Sequence, residues 1–149
     1  MALKEALKTD MVKAMKAKEK IRLSTLRSAL SSITDAETKG KERRELTDSD
    51  VIAVLKKLVK TRRESAVIYK EAEAYDRSEA ENTEADILEE YLPQQKSEEE
   101  VRALVNEIIE NNGLAESGAR GIGQVMKELK NRNDVDSALA SKIAREILQ

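Results

Sequence analysis

Clustered basic side chains are the strongest indication of ligand binding in this sequence. Lys60, Arg62 and Arg63 crowd one stretch, and Arg22 and Arg27 accompany an earlier run of apolar residues. Lysine and arginine bind the phosphates of a polyanion without reading its sequence. Their long aliphatic stems also cover apolar surface in proteins that bind no ligand. The five residues are therefore candidate phosphate contacts, and a purely structural role stays open for them.

Glycines mark a second candidate site. Gly121 and Gly123 open a predicted helix that continues through Lys127 and Lys130. The start of a helix presents backbone N–H groups that attract phosphate. A nucleotide-binding loop also needs a preceding strand and either a third glycine or a Lys-Ser/Thr pair, and none of these is present. The glycines therefore indicate either contact with an RNA phosphate or a close approach of this helix to its neighbour.

Groups that could carry out catalysis are scarce. The 149 residues include no His and no Cys, which excludes zinc fingers, thiol nucleophiles and Ser–His–Asp catalysis. The acidic runs Glu89–Glu90 and Glu98–Glu100 place consecutive carboxylates on predicted helices, where they point in different directions. With 2% aromatic residues, the composition also argues against a base-stacking nucleic-acid module. We predict no catalytic residue, no metal site and no cofactor.

The net charge of −2 conceals an asymmetry along the chain. Residues 1–77 hold 19 Lys and Arg against 13 Asp and Glu, whereas residues 78–149 hold 8 against 16. A basic half joined to an acidic half favours binding of a polyanion at one end, or pairing with itself or a partner.

Helices are the secondary structure that the sequence predicts around these residues. Apolar residues recur every three or four positions, and no segment alternates with the period of two that a strand requires. We predict an all-α fold of two helical subdomains, with about four helices in residues 1–93 and about three in residues 97–149. Residues 94–96, after Pro93, form the predicted linker, and the polar residues 34–46 read as a mobile loop.

Four polar residues mark predicted helix starts. Thr47 and Asp136 offer side-chain oxygens as N-caps, and Ser78 and Ser97 each precede a glutamate by three residues, which is the pattern of a capping box.

Three stretches resemble one known family. They are RLSTLRSAL at residues 22–30, KTRRESAVIYKEAEAYDRSEAENTEADILEEYLP at residues 60–93, and GIGQVMKELK at residues 121–130. In this order and spacing they resemble the YqeY (GatB/YqeY-domain) family of bacterial proteins. That family is similar to the C-terminal tail of the B subunit of the tRNA-dependent amidotransferase.

The resemblance implies an all-helical protein of two subdomains that contacts tRNA. In the amidotransferase, the comparable tail helps to hold tRNA while other parts of the enzyme do the chemistry. The resemblance also implies a description as a carbon–nitrogen ligase with glutamine as amido-N-donor. This chain, however, lacks the kinase-like portion of the B subunit and any glutaminase nucleophile site. It also departs from the family pattern, with Gln124 at a position that is often Lys and Asp76–Arg77 in place of Gly-Arg.

We therefore expect a non-catalytic module that binds tRNA or structured RNA, in or near an amidotransferase or aminoacyl-tRNA complex. No stretch approaches the roughly 18 apolar residues of a membrane span, so we expect a cytoplasmic location and no membrane contact. The alternative is a protein–protein adaptor that docks through its acidic C-terminal half and touches no RNA. The predicted RNA contacts are Arg22, Arg27, Lys60, Arg62, Arg63, Gly121, Gly123, Lys127 and Lys130.

Overall fold

The computed structural model describes residues 2–149, and helices are the regular elements within them. The all-α prediction is confirmed. The described residues form seven helices: α1 (Ala2–Lys16), α2 (Lys20–Thr38), α3 (Asp48–Glu71), α4 (Tyr75–Glu89), α5 (Glu98–Asn111), α6 (Ala119–Leu129) and α7 (Ser137–Leu148). None of these helices is long and apolar enough to cross a lipid bilayer.

The chain divides after Leu92 into two compact units, each with its own apolar core. The first unit holds α1 to α4, and the second unit, Pro93–Gln149, holds α5 to α7. Burial of apolar side chains at helical spacing is the main force that assembles each unit. The largest fully buried apolar side chains are Leu7, Leu26, Ile33, Leu46, Leu55, Leu88 and Val51 in the first unit, and Ile143, Val101, Val105 and Val125 in the second.

Three of the predicted helix starts are confirmed. The hydroxyl of Thr47 accepts from the backbone N–H of Asp50, and the Asp50 carboxylate accepts in return from the Thr47 N–H, both at 3.1 Å. Ser97 and Glu100 form the same reciprocal pair, and Asp136 accepts from the first N–H groups of α7. The donated Thr47 and Ser97 N–H groups lower the pKa of the Asp50 and Glu100 carboxyls, which these bonds stabilise in the charged form.

The predicted start at Ser78 is wrong, because this serine serves another contact. Helix α4 begins earlier, at Tyr75, after Glu73 has turned the chain with a left-handed φ of 61°. The buried Ser78 hydroxyl donates to the carbonyl oxygen of Ala66 on α3, at 2.7 Å. The hydroxyl therefore fastens the two helices of the hairpin to each other instead of capping one of them.

The loop predicted over residues 34–46 is wrong at its start, because α2 continues to Thr38. The final turn is held by Glu37, which is 1% exposed and accepts from the ammonium group of Lys4 at 2.8 Å. The connecting segment is anchored at its far end too, since Leu46 is buried and its N–H donates to the Glu37 carboxylate at 3.3 Å. Glu37, which the sequence places in a polar loop, is thus a buried charge of the first unit.

Candidate nucleic-acid interface

Arg62 lies in the middle of α3 and points toward α4. Its guanidinium forms a short ion pair with Glu84 and a second one with Glu81 at 3.6 Å, and it donates to the Ser28 hydroxyl of α2 at 3.4 Å. Only 19% of the side chain is exposed. The three partners fix Arg62 between three helices, so it serves to assemble the first unit.

Arg63 is engaged in the same way, one residue further along α3. It donates to Asp86 at 2.6 Å and to the Asn82 side chain at 3.0 Å, and it pairs with Glu89 at 3.1 Å. The bond to Asp86 is the main reason that the pKa of Arg63 is raised, with a further contribution from Glu89. Together the two arginines link the middle of α3 to most of the length of α4.

Arg22 ties the start of α2 to the end of α4. Its two terminal nitrogens donate to the two carboxylate oxygens of Glu90, at 2.7 and 3.2 Å, and its Nε lies 3.5 Å from Glu19. The forked bond holds the pKa of Glu90 below its usual range and raises that of Arg22. Next to this pair, the Tyr91 hydroxyl donates to Asp10 of α1 at 2.5 Å, and burial is the largest cause of the raised pKa of that tyrosine.

The acidic residues of α4 therefore pair with the two arginines of the basic stretch of α3. Counted by structural unit, the residues up to Leu92 hold 19 Lys and Arg against 19 Asp and Glu, and Pro93–Gln149 holds 8 against 10. A division of the sequence after residue 77 separates the arginines of α3 from the carboxylates that bind them. The basic half that the sequence suggests is thus no basic unit in the structure.

Two of the predicted contacts in the first unit are free to meet a ligand. Arg27 on α2 and Lys60 on α3 are both exposed, and neither side chain forms an ion pair or hydrogen bond within residues 2–149. A phosphate could bind either cation without displacing a carboxylate.

The structure adds a cluster of free cations that the sequence reasoning did not select. We call it the basic corner: Lys13 and Lys16 in the last turns of α1, Lys18 in the following turn, and Lys20 at the start of α2. All four are exposed, and none has a partner among the described residues. Lys18 adopts a left-handed φ of 61°, which reverses the chain and brings the two helix ends together.

Two acidic residues beside the basic corner are bonded to groups other than its lysines. Asp10 accepts a hydrogen bond from Tyr91, and Glu19 pairs with Arg22. In the sequence these lysines alternate with the apolar positions of a helix, a pattern that does not distinguish free cations from paired ones. The structure shows that the four lysines have no ion-pair partner among the described residues.

In the second unit, the two predicted glycines have different surroundings. A Cβ on Gly121 would lie 2.0 Å from the Ser117 hydroxyl oxygen and 3.0 Å from a methyl carbon of Leu148, so this glycine permits close packing of α6. A Cβ on Gly123 would meet nothing within 4 Å. Lys127 and Lys130, further along the segment, are exposed and without a partner in the described structure.

Acidic side chains are the remaining groups of these surfaces that could bind a metal ion or transfer a proton. Within residues 2–149, no group of three or more acidic side chains is placed to hold a metal ion. An open surface pocket of about 360 Å³ is lined by Lys4, Glu37, Arg43 and Glu45, but the Lys4 ammonium already lies 3.0 Å or less from both Glu37 oxygens. The largest cause of the lowered pKa of Glu37 is this same bond, so neither Lys4 nor Glu37 is free to act as an acid or base.

The fold and these sites define a small all-helical protein that presents charged surfaces. The chain belongs to the family of Yqey-like proteins, because the sequence model of that family matches residues 4–148. The family resemblance of the three sequence stretches is thereby confirmed.

Two fungal relatives extend the comparison. The chain is 34% identical over 124 residues to "Altered inheritance of mitochondria protein 41, mitochondrial" of Clavispora lusitaniae, covering 79% of this chain and 71% of that protein. It is 31% identical over 147 residues to the protein of the same name in Pyrenophora tritici-repentis, covering 95% of this chain and 78% of that protein. Both names place those proteins in the mitochondrion, and the cytoplasmic location expected for this chain stays a prediction.

Proposed function

We propose that this Yqey-like chain is a non-catalytic module that binds tRNA or structured RNA through its unpaired cations. The observation that carries the proposal is the basic corner, where Lys13, Lys16, Lys18 and Lys20 present free ammonium groups within eight consecutive positions. Such a cluster offers a polyanion several phosphate contacts at once, and the release of counterions from the RNA then drives binding.

Two of the residues predicted from the sequence add free cations to the same unit. Arg27 lies seven residues after Lys20 on α2, which is close to two full helical turns, so both side chains project from the same side of the helix. Lys60 adds an exposed cation on α3. The likeness to the tail of the amidotransferase B subunit favours tRNA as the RNA and an aminoacyl-tRNA or amidotransferase complex as the setting.

Arg22, Arg62 and Arg63 contribute to this proposal only as structural residues. For any of them to bind phosphate, the phosphate would have to displace carboxylates that already lie within hydrogen-bond distance. Such a displacement would leave acidic side chains unpaired beside a polyanion, which is electrostatically unfavourable.

The test is the salt dependence of tRNA binding in a charge-removal variant. Replacing Lys13, Lys16, Lys20 and Arg27 by Gln should reduce the slope of log affinity against log salt by about 3 to 4, because roughly one counterion is released for each lost contact. The matched control removes four other exposed cations that have no partner in the described structure: Lys39, Lys41, Lys70 and Lys142. The control variant should keep a slope close to that of the unmodified protein.

Two outcomes would count against RNA binding at the basic corner. Equal losses in both variants would indicate a diffuse attraction to net charge. Absence of salt-dependent tRNA binding at micromolar concentration would remove the RNA proposal and favour a protein–protein adaptor. The large apolar side chains exposed on the surface, such as Ile68 and Tyr75, would support such a role, although they lie outside the acidic C-terminal half that the sequence predicts to dock.

The non-catalytic part of the proposal has its own test. The full chain has no His or Cys, and its described residues form no cluster that could hold a metal. The purified protein should neither hydrolyse ATP nor release ammonia from glutamine. Either activity, if it follows the protein through repeated purification, would overturn this part of the proposal.

A further inference from the structure

A second surface of the first unit combines exposed apolar side chains with acidic residues. We call it the hairpin tip: the last turns of α3, the first turns of α4 and the turn between them. Val67, Ile68 and Tyr75 lie there, and they are between 56% and 65% exposed. Helix α3 runs on to Glu71 past Val59, its last residue in the first core, so these side chains lie on a stretch that packs chiefly against α4.

The charge of the hairpin tip is negative. Its two cations are Lys70 and Arg77, and the Arg77 guanidinium already lies over the ring of Tyr69, at 5.9 Å from its centre. Five acidic side chains surround the apolar ones, and none of the five forms an ion pair in the described structure. They are Glu64, Glu71, Glu73, Asp76 and Glu79.

The basic corner has the opposite charge and the same apolar character. Val12, Met15 and Ile21 stand among its free lysines and are between 38% and 56% exposed. Within residues 2–149, these three and the three of the hairpin tip are the large apolar side chains that stay exposed. The exposed apolar surface of the protein is thus divided between one acidic site and one basic site.

We propose that the hairpin tip of one copy of this chain binds the basic corner of a second copy. Contact between them would bury apolar side chains at the centre and place unpaired carboxylates opposite unpaired ammonium groups at the rim, which is the usual composition of a protein interface. Contact of two tips, or of two corners, would bring like charges together, and complementary charge therefore selects the pairing of tip with corner.

A single contact of tip with corner is heterologous and leads to a ring or a chain, whereas two reciprocal contacts give a twofold symmetric dimer. Three large apolar side chains on each side make a small interface. We therefore expect weak association that responds to concentration, with a dissociation constant on the order of 100 μM. The pairing shares the lysines of the basic corner with the proposed RNA surface, but its apolar side chains contact no phosphate, so substitution of those side chains tests self-association separately.

Sedimentation velocity of the full chain, from about 10 μM to about 1 mM, tests the proposal. The average mass of the unmodified protein should rise with concentration, and 0.5 M NaCl should weaken the association. A tip variant, Val67→Ser with Ile68→Ser, and a corner variant, Met15→Ser with Ile21→Ser, should each associate about tenfold more weakly or not at all. The control Ala103→Ser, which adds a hydroxyl at an exposed site of α5, should associate like the unmodified protein.

Mixing the two variants gives the sharpest result. Each retains the surface that the other lacks, so the mixture should form a heterodimer although neither component associates alone. A monomeric unmodified protein at 1 mM, association that salt leaves unchanged, or a mixture that stays monomeric would each overturn the proposal. Charge reversal by Lys13→Glu with Lys16→Glu provides a corner variant that keeps the apolar residues, and it too should lose self-association and regain it with the tip variant.

The corner variant also separates this inference from the proposed function. Met15→Ser with Ile21→Ser removes no charge, so it should lose self-association and keep its affinity for tRNA. Loss of tRNA binding in this variant, with helicity unchanged, would show that association and RNA binding are one property, and would overturn the independent role proposed for the apolar residues.

Discussion

The two units of this chain differ in the ion pairs that lie beneath the surface. In the first unit, Lys4 and Glu37 pair in the interior, and Arg62 joins three helices through partly buried partners. In the second unit, Arg102 pairs with Glu146 at 3.0 Å at the surface, outside an apolar core. The number of basic residues in a stretch of sequence therefore does not measure how much unpaired positive charge that stretch places on the surface.

Apolar burial is common to both units, and we expect its loss to have the largest effect. Leu55→Ala in the first core or Ile143→Ala in the second should each lower the free energy of unfolding by about 2 to 5 kcal/mol, because each leaves a cavity at a fully buried site. Urea denaturation followed by circular dichroism measures the loss. An equally large effect of Val67→Ala, which truncates an exposed side chain, would contradict the assignment of the cores.

The interior pair of the first unit should matter more than the surface pair of the second. Glu37→Gln leaves the Lys4 ammonium buried without an anion, and we expect the melting temperature to fall by several degrees. Arg102→Gln should leave it almost unchanged, since both partners are well exposed. The double variant Lys4→Met with Glu37→Met should recover much of the loss, and failure to recover would show that the two residues act separately.

The same pair makes a prediction about acid. The bond from Lys4 holds the pKa of Glu37 below its ordinary value, and Arg22 does the same for Glu90. The unfolded chain therefore binds protons at higher pH than the folded chain does. The stability that these two bonds contribute is fully present above the ordinary carboxylate pKa of about 4.3. It should be lost as pH falls from there through the lowered values.

Melting temperatures measured from pH 7 to pH 3 check this sign. The unmodified protein should lose stability below about pH 4.5, and Glu37→Gln should show a smaller further loss because it has no carboxyl to protonate at that position. A steeper acid loss in the variant would contradict the role assigned to Glu37.

Helix caps occur in both units and should give the smallest effects. Thr47→Ala and Ser97→Ala each remove an oxygen that accepts from the first turn of a helix, at a cost of about 1 kcal/mol in unfolding free energy. Thr47→Ser retains the oxygen and serves as the control. A cost for Thr47→Ser as large as that for Thr47→Ala would assign the loss to the methyl group.

Local signals explain how much of the fold could be predicted from the sequence. Helical periodicity and the caps at Thr47, Ser97 and Asp136 depend on residues within one turn, and the structure confirms them. Ser78 carries the same local pattern, but the carbonyl of Ala66 on another helix takes its hydroxyl. A single sequence does not reveal this contact, because the carbonyl lies twelve residues away and the sequence does not show which face of α3 packs against α4.

The candidate site was harder to predict for the same reason. The periodicity of α3 indicates which of its residues face inward, but it does not show that Arg62 and Arg63 meet carboxylates of α4. Likewise, the spacing of Gly121 does not tell a phosphate contact from close packing, which depends on Leu148 near the end of the chain. The basic corner required the opposite knowledge, namely that Asp10 and Glu19 have partners elsewhere.

The most direct test of the central claim is the salt dependence of tRNA binding by the double variant Arg62→Gln with Arg63→Gln, measured at a temperature where circular dichroism shows it folded. If these arginines hold the helices together and the free cations bind RNA, the slope should match that of the unmodified protein although the melting temperature falls. A slope reduced by about 2 with an unchanged melting temperature would show that the paired arginines contact the phosphates, and would contradict the account.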